Sequence, residues 1–233
     1  AAHLVMAAAA MRDGDTIRSN TAVAAAREAV EQVYGAEHTA ALKVLSDAGH
    51  LWSRNGSAEP AIDLTQQALN LSRSLLGDDH PRTTQALVAA ANALIVGDDV
   101  DGARALIVQA SERNNAVSDW LKAMIATAEG AAAPSNKEAI DALERAISLS
   151  EQAYGNKHPL VAERQIKLAN RLLAQGRVHE GEPLLTRALG ILEATLGKTH
   201  TSLIPVIGML GETHLRLRKR GSAAKHLERQ IAI

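Results

Sequence analysis

Tyr154-Gly155-Asn156-Lys157-His158-Pro159 is the segment whose reading decides the fold, because the chain repeats it. Its counterparts are Tyr34-Gly35-Ala36-Glu37-His38, Leu76-Gly77-Asp78-Asp79-His80-Pro81 and Leu196-Gly197-Lys198-Thr199-His200. The glycines of the first pair, 35 and 77, and of the last pair, 155 and 197, are 42 residues apart. The middle gap is 78, two periods less 6, so a degenerate copy lies between Gly77 and Gly155. Self-similarity at such a period marks an array of structural repeats.

Working outward, small residues keep the same phase. Ala61, Ala103, Ala139, Gly181 and Ala223 are each followed seven residues later by Ala68, Ala110, Ala146, Ala188 and Gln230. Eleven residues after each repeat histidine come Gly49, Ala91, Ala169 and Gly211. Small side chains two turns apart let a neighbouring helix approach closely. Glycine in the Gly-x-x-His segment suits a left-handed helix end. Pro81 and Pro159 suit the first turn of the next helix, where a missing N–H costs nothing. Asn55-Gly56, Gly97-Asp98, Gln175-Gly176 and Arg220-Gly221 mark a second break in each repeat. Between breaks the apolar residues recur at three and four, as in Leu184, Leu185, Ala188, Leu189, Ile191, Leu192 and Leu196.

The pattern predicts an all-α chain of about twelve helices over 2–13, 15–34, 38–54, 57–76, 81–96, 99–113, 115–129, 135–154, 159–175, 178–196, 201–218 and 220–232. They pair into six hairpins of one repeat domain over 1–233, with repeats of about 1–35, 36–77, 78–113, 114–155, 156–197 and 198–233. Gly130-Ala131-Ala132-Ala133-Pro134-Ser135-Asn136 reads as a loop and as the weakest joint. Alanine abundance, 2% aromatic residues and the absence of phenylalanine agree with closely packed helices, and the same composition suggests a high-GC bacterium.

The remaining composition restricts function. A net charge of −1 argues against direct nucleic-acid binding or an anionic membrane surface, both of which favour a basic excess. No segment reaches the roughly 18 apolar residues of a membrane span. The absence of cysteine excludes disulfides and thiolate metal sites, and a reducing cytoplasm fits. The chain starts without methionine and ends inside an amphipathic pattern, which reads as a piece of a longer protein or a processed one.

The nine histidines invite a metal hypothesis, but His38, His80, His158 and His200 stand one to a hairpin, roughly 10 Å apart for packed helices. Zinc ligands lie about 2 Å from the metal, so these four read as turn-capping or packing residues. Trp52 and His214 fall at the aromatic packing position of their hairpins. Gly197-Lys198-Thr199 lacks the earlier glycine and the strand of a phosphate-binding loop, since position 192 is leucine. Asp78-Asp79 and Asp98-Asp99 read as helix caps. The run Arg216, Arg218, Lys219, Arg220 reads either as a contact for an acidic partner or as a cationic helix end complementing the macrodipole. No catalytic residue, metal site or cofactor is assigned.

His158-Pro159-Leu160-Val161-Ala162, Leu168-Ala169-Asn170-Arg171-Leu172-Leu173-Ala174-Gln175-Gly176-Arg177 and Glu182-Pro183-Leu184-Leu185-Thr186-Arg187-Ala188-Leu189 together resemble the 42-residue tetratricopeptide repeat of kinesin light chains, a type also found in bacterial signalling proteins. The resemblance implies a right-handed superhelix of antiparallel hairpins whose first helices line a concave groove. It places groove positions five, eight, twelve and fifteen residues after each repeat histidine. These are Lys43, Ser46, His50 and Ser53; Gln85, Val88, Asn92 and Ile95; Glu163, Ile166, Asn170 and Leu173; and Pro205, Gly208, Glu212 and Leu215. Asn92 and Asn170 would hold a peptide backbone, since an amide both donates and accepts. Lys43, Lys167 and Glu163 would select charge, and Val88, Ile95 and Ile166 apolar side chains.

The implied function is a protein-interaction module that binds a peptide or a partner-protein segment. Two alternatives stay open: a regulatory sensor domain of a larger signalling protein (a kinase, nucleotide-switch ATPase or transcription regulator), and a structural or oligomerising spacer. Exposed Ile231 and Ile233 could pair two copies end to end.

Overall fold

The computed structural model describes residues 6, 9–10, 16–35, 37–113 and 118–233. They form eleven α-helices: α1 Thr16–Tyr34, α2 Thr39–Arg54, α3 Ala58–Leu76, α4 Pro81–Val96, α5 Val100–Glu112, α6 Asp119–Ala132, α7 Asn136–Tyr154, α8 Pro159–Ala174, α9 Val178–Leu196, α10 Ile204–Arg216 and α11 Arg220–Ala232. A 3-10 turn at Thr201–Leu203 leads into α10. No strand occurs among the described residues. The predicted helix 2–13 lies outside the described residues except at 6 and 9–10, which are helical.

The chain divides into two compact units, Ala1–Val117 and Ser118–Ile233. In the first unit the hairpins α2/α3 and α4/α5 stack, with α1 against α2. In the second, α6/α7, α8/α9 and α10/α11 do the same. The core of the first unit centres on Trp52, 1% exposed, packed with Ala61, Ala93 and the half-buried Leu51, Ile62 and Leu64. That of the second joins Ala169, Leu185 and Leu189 to Leu203, Val206, Ile207 and Leu210.

The repeat grammar has a physical counterpart at every turn. Backbone N–H groups of Ala40, Arg82, Leu160 and Ser202 donate to Nδ1 of His38, His80, His158 and His200 at 3.1–3.2 Å. Each histidine is therefore an N-cap, a role usually filled by Ser, Asp or Asn. The acceptor must be the unprotonated ring nitrogen. Tyr34 and Tyr154 stack on His38 and His158, with ring centroids 4.8 and 4.5 Å apart. Gly77, Gly155 and Gly197 have φ of 82° to 86°, but ψ of 158° to 169°. Their conformation is therefore extended beyond the expected left-handed helix end, in a region that is essentially glycine-only.

Three expectations are corrected. Gly130, Ala131 and Ala132 continue α6, and the joint shrinks to residues 133–135. Gly130 is buried at a close approach: a Cβ there would stand 2.8 Å from Leu143 Cγ and 3.1 Å from the Ala139 carbonyl oxygen. Asp78 does not cap α4, since His80 does; Asp78 instead receives Arg73 at 3.0 Å and Arg113 at 3.3 Å. Asp99 does cap α5, accepting from the Gly102 N–H at 2.9 Å. The last turn lies at Leu217–Lys219, and Gly221 is inside α11.

That last turn carries a prediction. Gly56, Asp98, Gly176 and Arg218 occupy one repeat position and share a positive φ, of 76°, 62°, 76° and 59°. A side chain with a Cβ costs roughly 1–2 kcal/mol in this conformation, partly offset by the larger entropy that glycine loses on folding. Arg218→Gly is therefore expected to stabilise the second unit by up to about 1 kcal/mol, raising Tm by about 2–4 °C in a thermal melt.

Candidate functional site

The predicted groove residues fall on exposed helix faces, but the face is rotated by one residue. Within a helix of 3.6 residues per turn, positions 5, 9, 12 and 16 after the repeat histidine form one narrow stripe, from which 8 turns inward; at 15, Ser53, Ile95 and Leu173 are half-buried and Leu215 is 52% exposed. In α8 the stripe is Glu163, Lys167, Asn170 and Ala174, all exposed. Position 8 is where the expectation fails. Val88 is 1% exposed and cannot meet a ligand, and Gly208 is buried under the Gln230 side chain, whose amide lies 2.8 Å from where a Cβ would be. Gln230 stands where other repeats carry alanine, so the glycine and the glutamine exchange the volume that Ile166 and Ala188 share the other way round.

In the first unit, Lys43 is tied to Asp47 at 2.9 Å. Ser46 and Ser53 donate to the carbonyls of Leu42 and Gly49 on their own helix. His50 and Gln85 are exposed, and Asn92 is half-buried. In the second unit the structure brings Asn170 and Glu212 together. A cleft of about 200 Å³ opens between α8 and α10. Leu173 and Ala174 from α8 and Met209 from α10 give it an apolar lining, and Asn170, Glu212 and Arg216 give it polar groups. Glu163 and Lys167 are exposed on α8 and do not line the cleft.

The cleft is built on helix backbones held from behind. Thr213 donates to the Met209 carbonyl at 2.6 Å, and Arg216 Nη1 donates to the Leu173 carbonyl at 3.1 Å, bridging α10 to α8. Among the described residues the Asn170 amide has no hydrogen-bond partner, and neither Glu212 nor Arg216 has an ion-pair partner. Sequence reasoning missed Ala174, Met209, Thr213 and Arg216 as lining residues, and all but Thr213 share the stripe. The signal was present as spacings of 9 and 16 from His158 and His200.

Behind the cleft, His214 is buried, and its Nε2 lies 3.0 Å from Glu182 Oε1. Lys219 Nζ reaches both oxygens of Glu182 at 2.8 Å. Lys219, followed by the hydrogen bond to His214, holds the Glu182 carboxyl below its usual range. The His226 ring lies 5.2 Å from that of His214. Burial, then the neighbouring His214 and Arg229, lowers the His226 pKa against the opposing pull of Glu193. The folded chain thus resists a proton that the unfolded chain accepts near pH 6.5. Stability from this site is complete above that pH and falls as the pH drops below it. His226→Gln is expected to reduce the loss of Tm between pH 7 and pH 5, read in paired thermal melts.

Two stretches of the chain, residues 42–82 and 161–202, match the tetratricopeptide repeat family. Among solved structures, the kinesin light chain repeats of Podosopora anserina are 23% identical, superpose with a TM-score of 0.60, and match over 84% of this chain and 96% of that one. BtubC of P. vanneervenii is 18% identical with a TM-score of 0.66, over 100% of this chain and 91% of its own. Aspartyl phosphate phosphatase F of Bacillus subtilis is 13% identical with a TM-score of 0.63, over 93% of this chain and 61% of its own. A search of the curated proteins returns no match. With its stacked hairpins, the chain has the fold of a tetratricopeptide-repeat array, and its two matched stretches are similar to repeats of that family.

Proposed function

We propose that this chain is a protein-interaction module, and that the cleft between α8 and α10 binds an extended segment of a partner protein. The observation that carries this reading is the Asn170 amide, which has no partner among the described residues and borders an apolar floor of Leu173, Ala174 and Met209. Polar groups that converge beside apolar side chains in a cleft can fix the orientation of a ligand. An unpaired amide there can donate to and accept from a peptide backbone without regard to its side chains. Asn92, with Gln85 and His50, would offer the same kind of contact in the first unit, and Glu163 and Lys167 would meet a ligand extending past the cleft.

A second contact is open at α11. Ile231 occupies the repeat position of Leu69 and Leu189, which are 1% and 7% exposed, yet it is 88% exposed itself. This supports packing of another apolar helix face on α11, which Ile231→Lys should weaken; where the face is that of a second copy, light scattering returns a mass above one chain that the variant reduces.

The main test pans a random-peptide phage library on the chain and measures enriched peptides by fluorescence anisotropy. Asn170→Ala is expected to weaken them about tenfold, the loss of one to two backbone hydrogen bonds. Unchanged affinity in a folded Asn170→Ala chain would place binding elsewhere.

A further inference from the structure

Glu212 and Arg216 lie four residues apart on one face of α10, the spacing at which a glutamate and an arginine commonly pair. Here they do not. Arg216 reaches across to the Leu173 carbonyl on α8, at 3.1 Å, and Glu212 is left exposed with no cation among the described residues. The cleft thus holds a carboxylate and a guanidinium one helical turn apart, neither in an ion pair with the other or with any other described residue.

From this we infer the ligand's chemistry, resting on the peptide reading above: an extended segment carrying one basic and one acidic side chain two positions apart. Four residues of α-helix rise about 6 Å. Alternate side chains of an extended peptide, which share a face, are separated by about 6.6 Å. A peptide running along α10 therefore sets its basic residue on Glu212 and its acidic residue on Arg216 with no change of register. The residue between them points away and is unrestricted. The flanking apolar floor of Leu173 and Met209 receives the aliphatic stem of the basic side chain. A segment of one charge sign would put a like charge on Glu212 or on Arg216, which selects against it.

The test compares libraries panned on the native chain and on Glu212→Arg/Arg216→Glu, with circular dichroism to show that the double variant folds. Both positions are exposed, so the exchange leaves the core intact and gives up one hydrogen bond, from Arg216 to the Leu173 carbonyl, which Arg216→Gln alone controls for. The expected result is a basic–x–acidic pair of one chain polarity on the native protein and the opposite polarity on the variant. Each enriched peptide should bind its own selector at least about tenfold more tightly than the other, which is about 1.4 kcal/mol. Peptides that depend on Asn170 but lack the pair would overturn this inference and leave the peptide-binding reading standing. Peptides indifferent to Asn170, or none at all, would overturn both. A dimer by light scattering that the double variant abolishes would make a second copy of the chain the occupant, and would also overturn the inference.

Discussion

Trp52→Ala is expected to cost the first unit about 3–5 kcal/mol, the usual range for deleting a buried aromatic side chain. Trp52 is the largest fully buried side chain of that unit and lies where α2, α3 and α4 meet. Its neighbours Ala61 and Ala93 sit in tightly packed helices and have no atoms with which to fill the space. The cavity fills only as far as Leu51, Ile62 and Leu64 can move into it, which sets where in that range the cost falls. The midpoint of thermal unfolding should fall by on the order of 10 °C. Hydrogen exchange should show the protection lost from α2, α3 and α4.

Trp52→Phe separates packing from polarity. The indole N–H is buried with no hydrogen-bond partner among the described residues. An unsatisfied buried donor carries a penalty of about 1–3 kcal/mol. Phenylalanine removes that donor and keeps most of the ring, so its loss should be well below that of alanine. The last repeat has a histidine at the same position, His214, and deals with polarity differently. A ring with two polar nitrogens needs partners, and Glu182 with Lys219 behind it supplies one of them.

How far the sequence discloses this structure depends on whether a feature is local. Helix ends are legible because the repeat histidines, prolines and glycines act on their own backbone. The stripe of groove residues is legible to within one residue of rotation. Spacings of 8 and 9 both look helical in a linear sequence, and only packing against the neighbouring first helix turns Val88 inward and leaves Lys167 outside. Arg216 was legible as a charge but not as a lining residue, because its reach to α8 depends on a second helix. The Arg220-Gly221 break was misplaced because arginine at a positive φ leaves no trace in composition. The true turn at Arg218 appears only when its register with Gly56 and Gly176 is counted.

Gly130 shows the same limit most sharply, since glycine that breaks a helix and glycine that lets two helices touch are the same letter. The two roles predict opposite responses to alanine. Were Gly130 a loop residue, Gly130→Ala would be harmless or stabilising. As an interior helix position it would gain about 1 kcal/mol of helix propensity. The added methyl, however, meets Leu143 Cγ at 2.8 Å and the Ala139 carbonyl oxygen at 3.1 Å. Leu143 is 3% exposed and wedged among Ile140, Leu168 and Leu172, so it cannot swing aside. Overpacking of this kind costs about 1–3 kcal/mol, which exceeds the propensity gain at most of that range. Gly130→Ala is therefore expected to destabilise the second unit by up to about 2 kcal/mol. Gly190 in α9 supplies the control: it is exposed, nothing lies within 4 Å of its Cβ position, and Gly190→Ala should stabilise by about 1 kcal/mol. Combining Gly130→Ala with Leu143→Ala should cost less than the two separately, because the shortened side chain vacates the space that the methyl needs. Urea denaturation of the four chains decides it, and additive losses would show that the close approach at Gly130 is not what sets its identity.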